Sequence, residues 1–386
     1  MGARFSRKLQ GRMTSLIRQW GSDKSHYPNY MFSVIGREEL GQAEWDAFVD
    51  ASDEAWLWHR FDAQDVLAAR RGRNVLSFAI RESGGQERIV AIVPLHLVEG
   101  GYSKLFSVKV LDSFGGVACL NDLGSKQKKK VLDFVREQFI NLALQCKVVQ
   151  IDLRLTPMAP AYRGEQCPKV NPLLHLGVEN RLTQTYVIDL QYSKEELWDR
   201  LLGYCRTHIR KAEKEGFVIR EADSFADVEK YYGLHLETYY RTGVEPHPFK
   251  YFEHIWRSFT IKGYSKIFLA ERDGELVAAD NEAFYKKGVV GWTAAGKSGA
   301  TKGINNLLHW HAIRYFKERG FEWYESGEAF PAARGGKNKG LNDFKKSFGG
   351  ELYPYYRGEI VMRPVLLETA NWLKTLRQSL DFKSGN

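Results

Sequence analysis

Two acidic side chains stand two residues apart in a short apolar segment of the sequence. The segment ADNEAF, residues 279 to 284, is typical of a β-strand, so Asp280 and Glu282 share one face while Asn281 points to the other. A carboxylate held beside a reacting group can act as a general base. We therefore predict that Asp280 and Glu282 are catalytic residues. The alternative is an ion pair with a nearby lysine, which is the commoner role of a carboxylate.

Further acidic and histidine side chains follow downstream. Open α/β sheets bind ligands at the carboxyl ends of their strands, which makes Glu325, in the predicted strand FEWYESG, a further catalytic candidate, with Glu328 beside it. His309 and His311 are two residues apart on a predicted helix, so their rings point roughly 200° apart and cannot bind one metal ion. We predict no metal site.

A glycine-rich loop precedes that helix. The segment GKSGATKG combines glycines, lysines and hydroxyls where a strand would lead into Ile304. Backbone N–H groups at such a junction bind phosphate, and lysines add positive charge. The predicted phosphate-binding residues of a carrier or cofactor are Gly296, Lys297, Gly299, Lys302 and Gly303. The alternative is an exposed loop that needs glycine only for its turns.

The same segment also satisfies the nucleotide-binding pattern GxxxxGK[ST], from Gly291 to Ser298. A working P-loop leads straight from its lysine into a helix. Here Gly299 and Gly303 delay the predicted start of the helix, and FEWYESG is a poor match to the acidic strand that binds Mg²⁺. A P-loop nucleotide-binding protein is therefore kept only as an alternative.

Arginines on a predicted helix are a second candidate anion site. In RTHIRK, Arg206 and Arg210 are four residues apart, so both guanidinium groups can reach one phosphate or carboxylate of a cofactor. The alternative is a solvated helix face.

A cationic segment near the carboxyl end is the last candidate. In GLNDFKKSFGG, Phe344 and Phe348 are four residues apart and predict a short helix anchored by its apolar face. This leaves Lys345 free to turn toward an anionic carrier, and we predict it as a catalytic residue. Gly349 and Gly350 are expected to end the helix.

The elements that must position these residues occur twice. Hairpin patterns at 75–98 and 266–285 each follow an aromatic-rich helical stretch, and each precedes a strand, a glycine-rich loop, a long helix and a further strand. This order predicts an α/β fold (α+β mixed sheet) with two like domains. We expect domains at 29–180 and 181–365, with a helix or tail at 366–386.

Composition limits the class of protein. The chain has 386 residues and a formal charge of +9, with no long apolar run and no signal sequence, which predicts a cytoplasmic protein. Residues 1–28 carry most of the excess charge around an apolar stripe, so they predict a basic amphipathic helix. Residues 1–24 then contact either an anionic membrane, at its inner face, or the protein's own body.

Four runs carry a resemblance to a known family: LLGYCRTHIRKAEKEGFVIRE, FLAERDGELVAA, INNLLHWHAIRYFKERGFEWYESG and GLNDFKKSFGG. They resemble the FemAB-type branch of the GNAT acyltransferases, in which two GNAT domains stand in tandem. FemAB-type enzymes add amino acids to peptidoglycan precursors. Related acyltransferases act in envelope, polysaccharide and natural-product pathways.

The resemblance implies an N-acyltransferase. It would move an acyl or aminoacyl group from acyl-CoA, an acyl carrier protein or aminoacyl-tRNA to a primary amine of a small molecule or envelope precursor, with no permanently bound cofactor. It also implies that 181–365 binds the donor and that FKxxFGG closes this domain. FemAB-type enzymes lack an obvious base. Basic and acidic residues nearly balance over 183–365, which is a weak excess of positive charge for a domain that must hold a tRNA, so acyl-CoA stays open as a donor. A GNAT-fold binding module without chemistry is the remaining alternative.

Overall fold

The computed structural model describes residues 31–84, 87–103, 106–299 and 303–383. Its strands are β1 (Phe32–Gly36), β2 (Arg73–Val75), β3 (Phe78–Glu82), β4 (Arg88–Val93), β5 (His96–Ser103), β6 (Phe106–Gly115), β7 (Ala118–Cys119), β8 (Gln150–Leu155), β9 (Glu179–Asn180), β10 (Thr183–Asp189), β11 (Val218–Glu221), β12 (Ser265–Arg272), β13 (Glu275–Tyr285), β14 (Gly288–Gly296), β15 (Trp323–Ala329), β16 (Glu351–Tyr355) and β17 (Arg357–Val361).

The α-helices are α1 (Arg37–Leu40), α2 (Gln42–Ala51), α3 (Phe61–Ala68), α4 (Ser125–Cys146), α5 (Lys194–Arg200), α6 (Gly203–Lys214), α7 (Phe225–Arg241), α8 (Phe249–Ile255), α9 (Ile304–Glu318), α10 (Gly336–Lys346) and α11 (Pro364–Lys383). Among the described residues no helix is both long and apolar enough to cross a bilayer. The predicted basic helix within residues 1–28 lies outside the described part of the chain.

Both predicted hairpins form. Strands β3 and β4 pair antiparallel, and so do β12 and β13. The second hairpin turns at Asp273 and Gly274, whose φ angles of 54° and 77° are left-handed. A two-residue turn with positive φ at both positions matches the twist of the flanking strands, and Asp-Gly adopts it at low cost.

The chain forms two units. One comprises the described residues up to Thr156, then Gln166–Leu182 and the described residues from Tyr356 onward; the other comprises Pro157–Glu165 and Thr183–Tyr355. The strand that the sequence predicts after Gly350 is therefore two strands, with β16 in the second unit and β17 in the first.

The first unit has two sheets, with strand orders β1-β3-β4-β7 and β2-β5-β6-β8-β17-β9. Its parallel strands β6 and β8 stay paired from Val110 and Gln150 to Gly115 and Leu155. The two strands are therefore paired along the full length of β8.

The second unit has one sheet of order β11-β12-β13-β14-β15-β10-β16. Its parallel strands β14 and β15 pair only from Gly288 and Trp323 to Val290 and Glu325. Beyond this point β14 continues along β13, and β15 continues along β10. The two strands therefore part, and the sheet of the second unit opens between them.

Helices cover the sheet of the second unit around this opening. Helix α9 contacts β12 and β13, while α7 contacts β13 and β14. The core on the α9 side includes Phe268, Phe316, Tyr324 and Phe348, all fully buried. Truncating one such side chain to alanine typically costs about 3–5 kcal/mol, so this core fixes α9 and α10 against the strands.

Candidate active site

Gly291 marks the place where β14 leaves β15. A Cβ atom at Gly291 would lie 3.5 Å from the Tyr324 hydroxyl, 3.6 Å from the Glu325 carbonyl oxygen and 3.7 Å from Glu282 Oε2. The polar side chains of β13 and β15 therefore lie directly against the backbone at the start of the opening.

The alternation that we predict for β13 is present. Asp280 and Glu282 are on the face toward α9, where Asp280 Oδ2 lies 3.5 Å from His309 Nδ1 and Glu282 Oε1 accepts a 2.7 Å hydrogen bond from the Tyr324 hydroxyl. Asn281 is on the opposite face, with Nδ2 3.5 Å from Thr293 Oγ1.

Glu282 is poorly suited to the role of a general base. Its side chain is fully buried, and burial together with the neighbouring Asp280 carboxylate holds its pKa well above the ordinary range. Burial likewise raises the pKa of Tyr324 well above its usual value. Because Glu282 is fully buried and its Oε1 already accepts the Tyr324 hydrogen bond, its carboxyl is not placed to take a proton from an acceptor amine.

Histidine and tyrosine join the two acidic residues in a way that the sequence analysis missed. His309 Nδ1 lies 3.3 Å from the Tyr324 hydroxyl, and its Nε2 lies 3.2 Å from Ser326 Oγ. The ring of His311 instead packs against Phe268, at 5.2 Å between centroids. The two histidines point apart as predicted. Their spacing in the sequence could not show that His309 faces Asp280, which lies 29 residues earlier in the chain.

Glu325 is on β15, and the ammonium group of Lys345, from α10, contacts the same strand. The Glu325 side chain is 6% exposed, and its Oε1 accepts a 2.7 Å hydrogen bond from Thr185 Oγ1. Lys345 Nζ donates to the Glu328 carbonyl oxygen at 2.7 Å, and burial lowers the pKa of this lysine although Glu325 and Glu328 attract its charge. A Cβ atom at Gly327 would lie 3.1 Å from Lys345 Nζ.

The phenylalanines beside Lys345 act as the anchors that the sequence predicts. Phe344 and Phe348 pack against each other at 5.1 Å, and both contact the ring of His309. Lys345 itself is held against β15 rather than free, because its ammonium hydrogen-bonds the Glu328 carbonyl.

The first part of the glycine-rich loop is held by α7. The Gly296 carbonyl accepts hydrogen bonds from Thr238 Oγ1 at 3.0 Å and from the Arg241 guanidinium at 2.9 Å, while the Ser298 N–H donates to Glu237 Oε1 at 3.0 Å. Lys297 forms an ion pair with Glu275. These contacts occupy groups that the sequence analysis assigned to phosphate binding.

The second part of the loop leads into α9. Gly299 and Gly303 have φ angles of 72° and 108°, and a Cβ atom at Gly303 would lie 2.5 Å from the His208 carbonyl oxygen. Glycine is therefore required at 303 by its close contact with α6. Lys302 lies outside the described residues.

The two arginines of α6 do not converge on one anion. Arg206 donates to the carbonyl oxygens of Asp199 and Leu201, at 2.9 and 2.8 Å, and so caps the end of α5. Arg210 lies over the Trp198 ring at 5.3 Å and lines an open groove of about 510 Å³ with Trp310.

The P-loop alternative does not fit this geometry. The residues from Gly291 to Gly296 are part of β14 and pair with β13, whereas a P-loop wraps a phosphate with this segment. The helix that follows starts only at Ile304.

Comparisons with known proteins agree with this architecture. Residues 201–346 match the family described as acetyltransferase (GNAT) domain. FemX has a similar structure, with a TM-score of 0.63 and 14% identity over 87% of this chain and 99% of that chain. The C-terminal domain of a putative lysylphosphatidylglycerol synthetase from Agrobacterium fabrum has a TM-score of 0.51 and 13% identity, over 80% of this chain and 90% of that chain.

A conserved protein of unknown function from Bacteroides thetaiotaomicron also has a TM-score of 0.51, with 11% identity over 83% of this chain and 97% of that chain. Curated protein sequences gave no significant match. At these identities the structural matches establish the fold, and the domain match adds the enzyme class. Residues 201–346, in the second unit, match a GNAT acetyltransferase domain, and the fold of the chain is similar to that of FemX.

Proposed function

We propose that this protein is an N-acyltransferase that moves an acyl or aminoacyl group from a phosphate-bearing carrier to a primary amine. The observation that supports this most directly is the parting of β14 and β15 after Val290 and Glu325. Strands that part expose backbone N–H and C=O groups, which can bind the extended arm of a carrier as an added strand would.

The donor's phosphates are proposed to bind where the glycine-rich loop meets α9. The start of a 15-residue helix presents backbone N–H groups and the positive end of its dipole. Gly299 and Gly303 have no side chain that would block a phosphate, and the side chain of Lys302 would add positive charge. Lys297 is a weaker candidate because Glu275 already neutralises it.

The reaction needs a neutral amine, a stabilised oxyanion and an acceptor for one proton. The amine nitrogen attacks the acyl carbon, the bond to the carrier's sulfur or oxygen breaks, and the amine proton passes by way of a base to the leaving group. We assign Lys345 to stabilisation of the oxyanion or carrier, since its ammonium is partly desolvated beside β15. Glu325 is the proposed proton acceptor. Asp280 and Glu282 are proposed to have a structural role, since their side chains contact α9 and β15.

Acyl-CoA is the donor that we favour, with an acyl carrier protein as its protein-bound equivalent. Aminoacyl-tRNA is the second candidate because the sequence resemblance to FemAB-type enzymes implies it. The resemblance to FemAB-type enzymes favours an amine acceptor of the cell envelope, and the similar fold of a putative lysylphosphatidylglycerol synthetase domain adds a lipid as a second candidate. Contact of residues 1–24 with an anionic membrane remains a prediction from the sequence.

The test is a paired transfer assay on the full chain. Free thiol is measured with a series of acyl-CoA donors, and amide formation with charged tRNA, each against a panel of primary amines. We expect amine-dependent turnover with one donor class, and loss of most of it in Glu325→Gln but not in Glu351→Gln, an exposed control on β16. Amine-dependent turnover with neither donor class would favour the binding-module alternative.

A further inference from the structure

A cluster of metal-binding side chains lies below the opening of the second unit. Asp280, Glu282 and His309 each offer one ligand atom, and these atoms lie within 4.8 Å of one another. The Tyr324 hydroxyl is a fourth oxygen in the same place, 2.7 Å from Glu282 Oε1 and 3.3 Å from His309 Nδ1. Glu282 and Tyr324 are fully buried, while Asp280 and His309 are each 6% exposed.

The cluster has more hydrogen-bond acceptors than hydrogens. Tyr324 has one hydrogen, which it donates to Glu282 Oε1. Glu282 Oε2 is buried and has no hydrogen-bond partner among the described residues. When His309 Nε2 carries the ring hydrogen and donates it to Ser326 Oγ, the Nδ1 lone pair faces Asp280 Oδ2 at 3.5 Å. Lone pairs of two carboxylates and an imidazole then converge, which is unfavourable in a buried site unless a proton or a metal cation lies between them.

We propose that Asp280, Glu282 and His309 bind a divalent transition-metal ion of the zinc type, with Tyr324 as a neighbouring fourth oxygen. Two carboxylates and a neutral imidazole carry a charge that a divalent cation balances. Ligand atoms around a tetrahedral zinc ion stand ~3.4 Å apart, given metal–ligand bonds of about 2.0–2.2 Å. The separations of His309 Nδ1 from Asp280 Oδ2 and from the Tyr324 oxygen, 3.5 and 3.3 Å, match this spacing.

The surroundings of His309 support the same assignment. Histidines that bind a metal through one ring nitrogen usually donate the other N–H to an oxygen, which fixes the tautomer. Ser326 Oγ is that oxygen here. The mixed nitrogen and oxygen donors and the short separations suit zinc better than calcium or magnesium, which prefer oxygen ligands at other distances and numbers. The ion would connect β13, β15 and α9 next to Gly291.

The inference stands apart from the proposed acyl transfer, because it concerns only the ions that the second unit binds. The experiment uses the full chain without an affinity tag. Metal content is measured after purification, and Zn²⁺ is then titrated into EDTA-treated protein by calorimetry. Wild type is compared with His309→Gln and Asp280→Asn, and with His311→Gln, a control two residues along the same helix whose ring packs on Phe268.

We expect one zinc per chain for wild type and His311→Gln, and at least a 100-fold weaker affinity for His309→Gln and Asp280→Asn. Co²⁺ added to EDTA-treated wild type should give the intense visible absorption of a tetrahedral site, a readout that needs no variant. Equal zinc affinity of wild type, His309→Gln and Asp280→Asn would overturn the proposal, and so would the absence of a Co²⁺ spectrum. In either case Asp280 and Glu282 would share a proton and bind no metal ion.

Discussion

At the scale of single residues, Lys345 is a cation held directly against β15. Its ammonium is fixed by the Glu328 carbonyl, and burial lowers its pKa, so it has lost part of its hydration before any ligand binds. A fixed and partly desolvated ammonium group stabilises a developing oxyanion more strongly than a fully solvated lysine does. Its neighbour Lys346 is exposed and shares none of these contacts.

Lys345→Ala is expected to lower kcat/KM for the acyl donor by about 10- to 100-fold, the usual effect of removing one charged hydrogen-bond donor from a reacting centre. Steady-state kinetics measure this, with the melting temperature as a check on folding. Lys346→Ala should keep nearly full activity. Equal losses in the two variants would show that only the general charge of α10 matters.

Gly303 provides a second test at this scale. Alanine at 303 must adopt a φ angle near 108° and place its Cβ 2.5 Å from the His208 carbonyl oxygen, so we expect a loss of about 3 kcal/mol in the free energy of unfolding. Gly299→Ala has a left-handed φ but no atom within 4 Å, and should cost about 1 kcal/mol. Urea unfolding of both variants checks the difference; similar values would contradict the tight contact with α6.

At the scale of elements, α7 holds the first part of the glycine-rich loop, Gly296 to Ser298. The Thr238 hydroxyl donates to the Gly296 carbonyl and accepts from the Gly296 N–H, both at 3.0 Å. Glu237 and Arg241 add contacts to Ser298 and Gly296. The loop is thus shaped by a helix far from it in sequence.

Thr238→Val keeps the side-chain volume and removes both hydrogen bonds. Because the loop is proposed to bind the donor, KM for the donor should rise about tenfold with little change in kcat, as expected for a loss of about 1–1.5 kcal/mol. Thr242→Val is the control, since the Thr242 hydroxyl donates to the Tyr239 carbonyl at the end of its own helix. A fall in kcat at constant KM would contradict a positioning role.

The contact between β5 and α3 makes the first unit sensitive to acid. His96 is buried, its Nε2 donates to the Gln64 carbonyl, and burial lowers its pKa from 6.5 to about 4. The unfolded chain therefore takes up this proton first as the pH falls. Stability should drop by up to about 3 kcal/mol between pH 6.5 and 4 from this group.

Urea unfolding of His96→Gln at several pH values tests this. Glutamine keeps an N–H donor but does not titrate, so the pH dependence between 6.5 and 4 should be smaller than in wild type. His175→Gln, at an exposed position, should leave it unchanged. An unaltered slope in His96→Gln would contradict a buried neutral histidine.

Local patterns in the sequence predicted a good part of these elements. The Asp273–Gly274 turn, the alternation of Asp280 and Asn281, and the anchoring pair around Lys345 depend on neighbours in the chain, and all three are present. The partners of these residues were not predictable, because they depend on which strands become adjacent. His309 meets Asp280, and Lys297 meets Glu275, only after β13, β14 and α9 have packed.

At the scale of the whole molecule, the two units differ in how their parallel strands pair. Strands β6 and β8 of the first unit stay paired to Gly115 and Leu155, whereas β14 and β15 of the second part after Val290 and Glu325. The two sheets that contain these parallel pairs also each include a strand from elsewhere in the chain: β17 lies between β8 and β9, and β10 between β15 and β16. The sequence repeat predicted two like units but not these insertions, since a strand's place in a sheet leaves no local signature.

The measurement that tests the central claim most directly is hydrogen exchange of the full chain, with and without coenzyme A or an acyl-CoA, and separately with a stable aminoacyl-tRNA analogue. If the second unit binds the donor in its opening, amides of 291–299 and of the first turn of α9 should exchange more slowly with one of these ligands. Amides of 110–115 and 150–155 in the first unit should not change. Slower exchange in 110–115 and 150–155 instead, or no slower exchange in either unit with any of these ligands, would contradict the account.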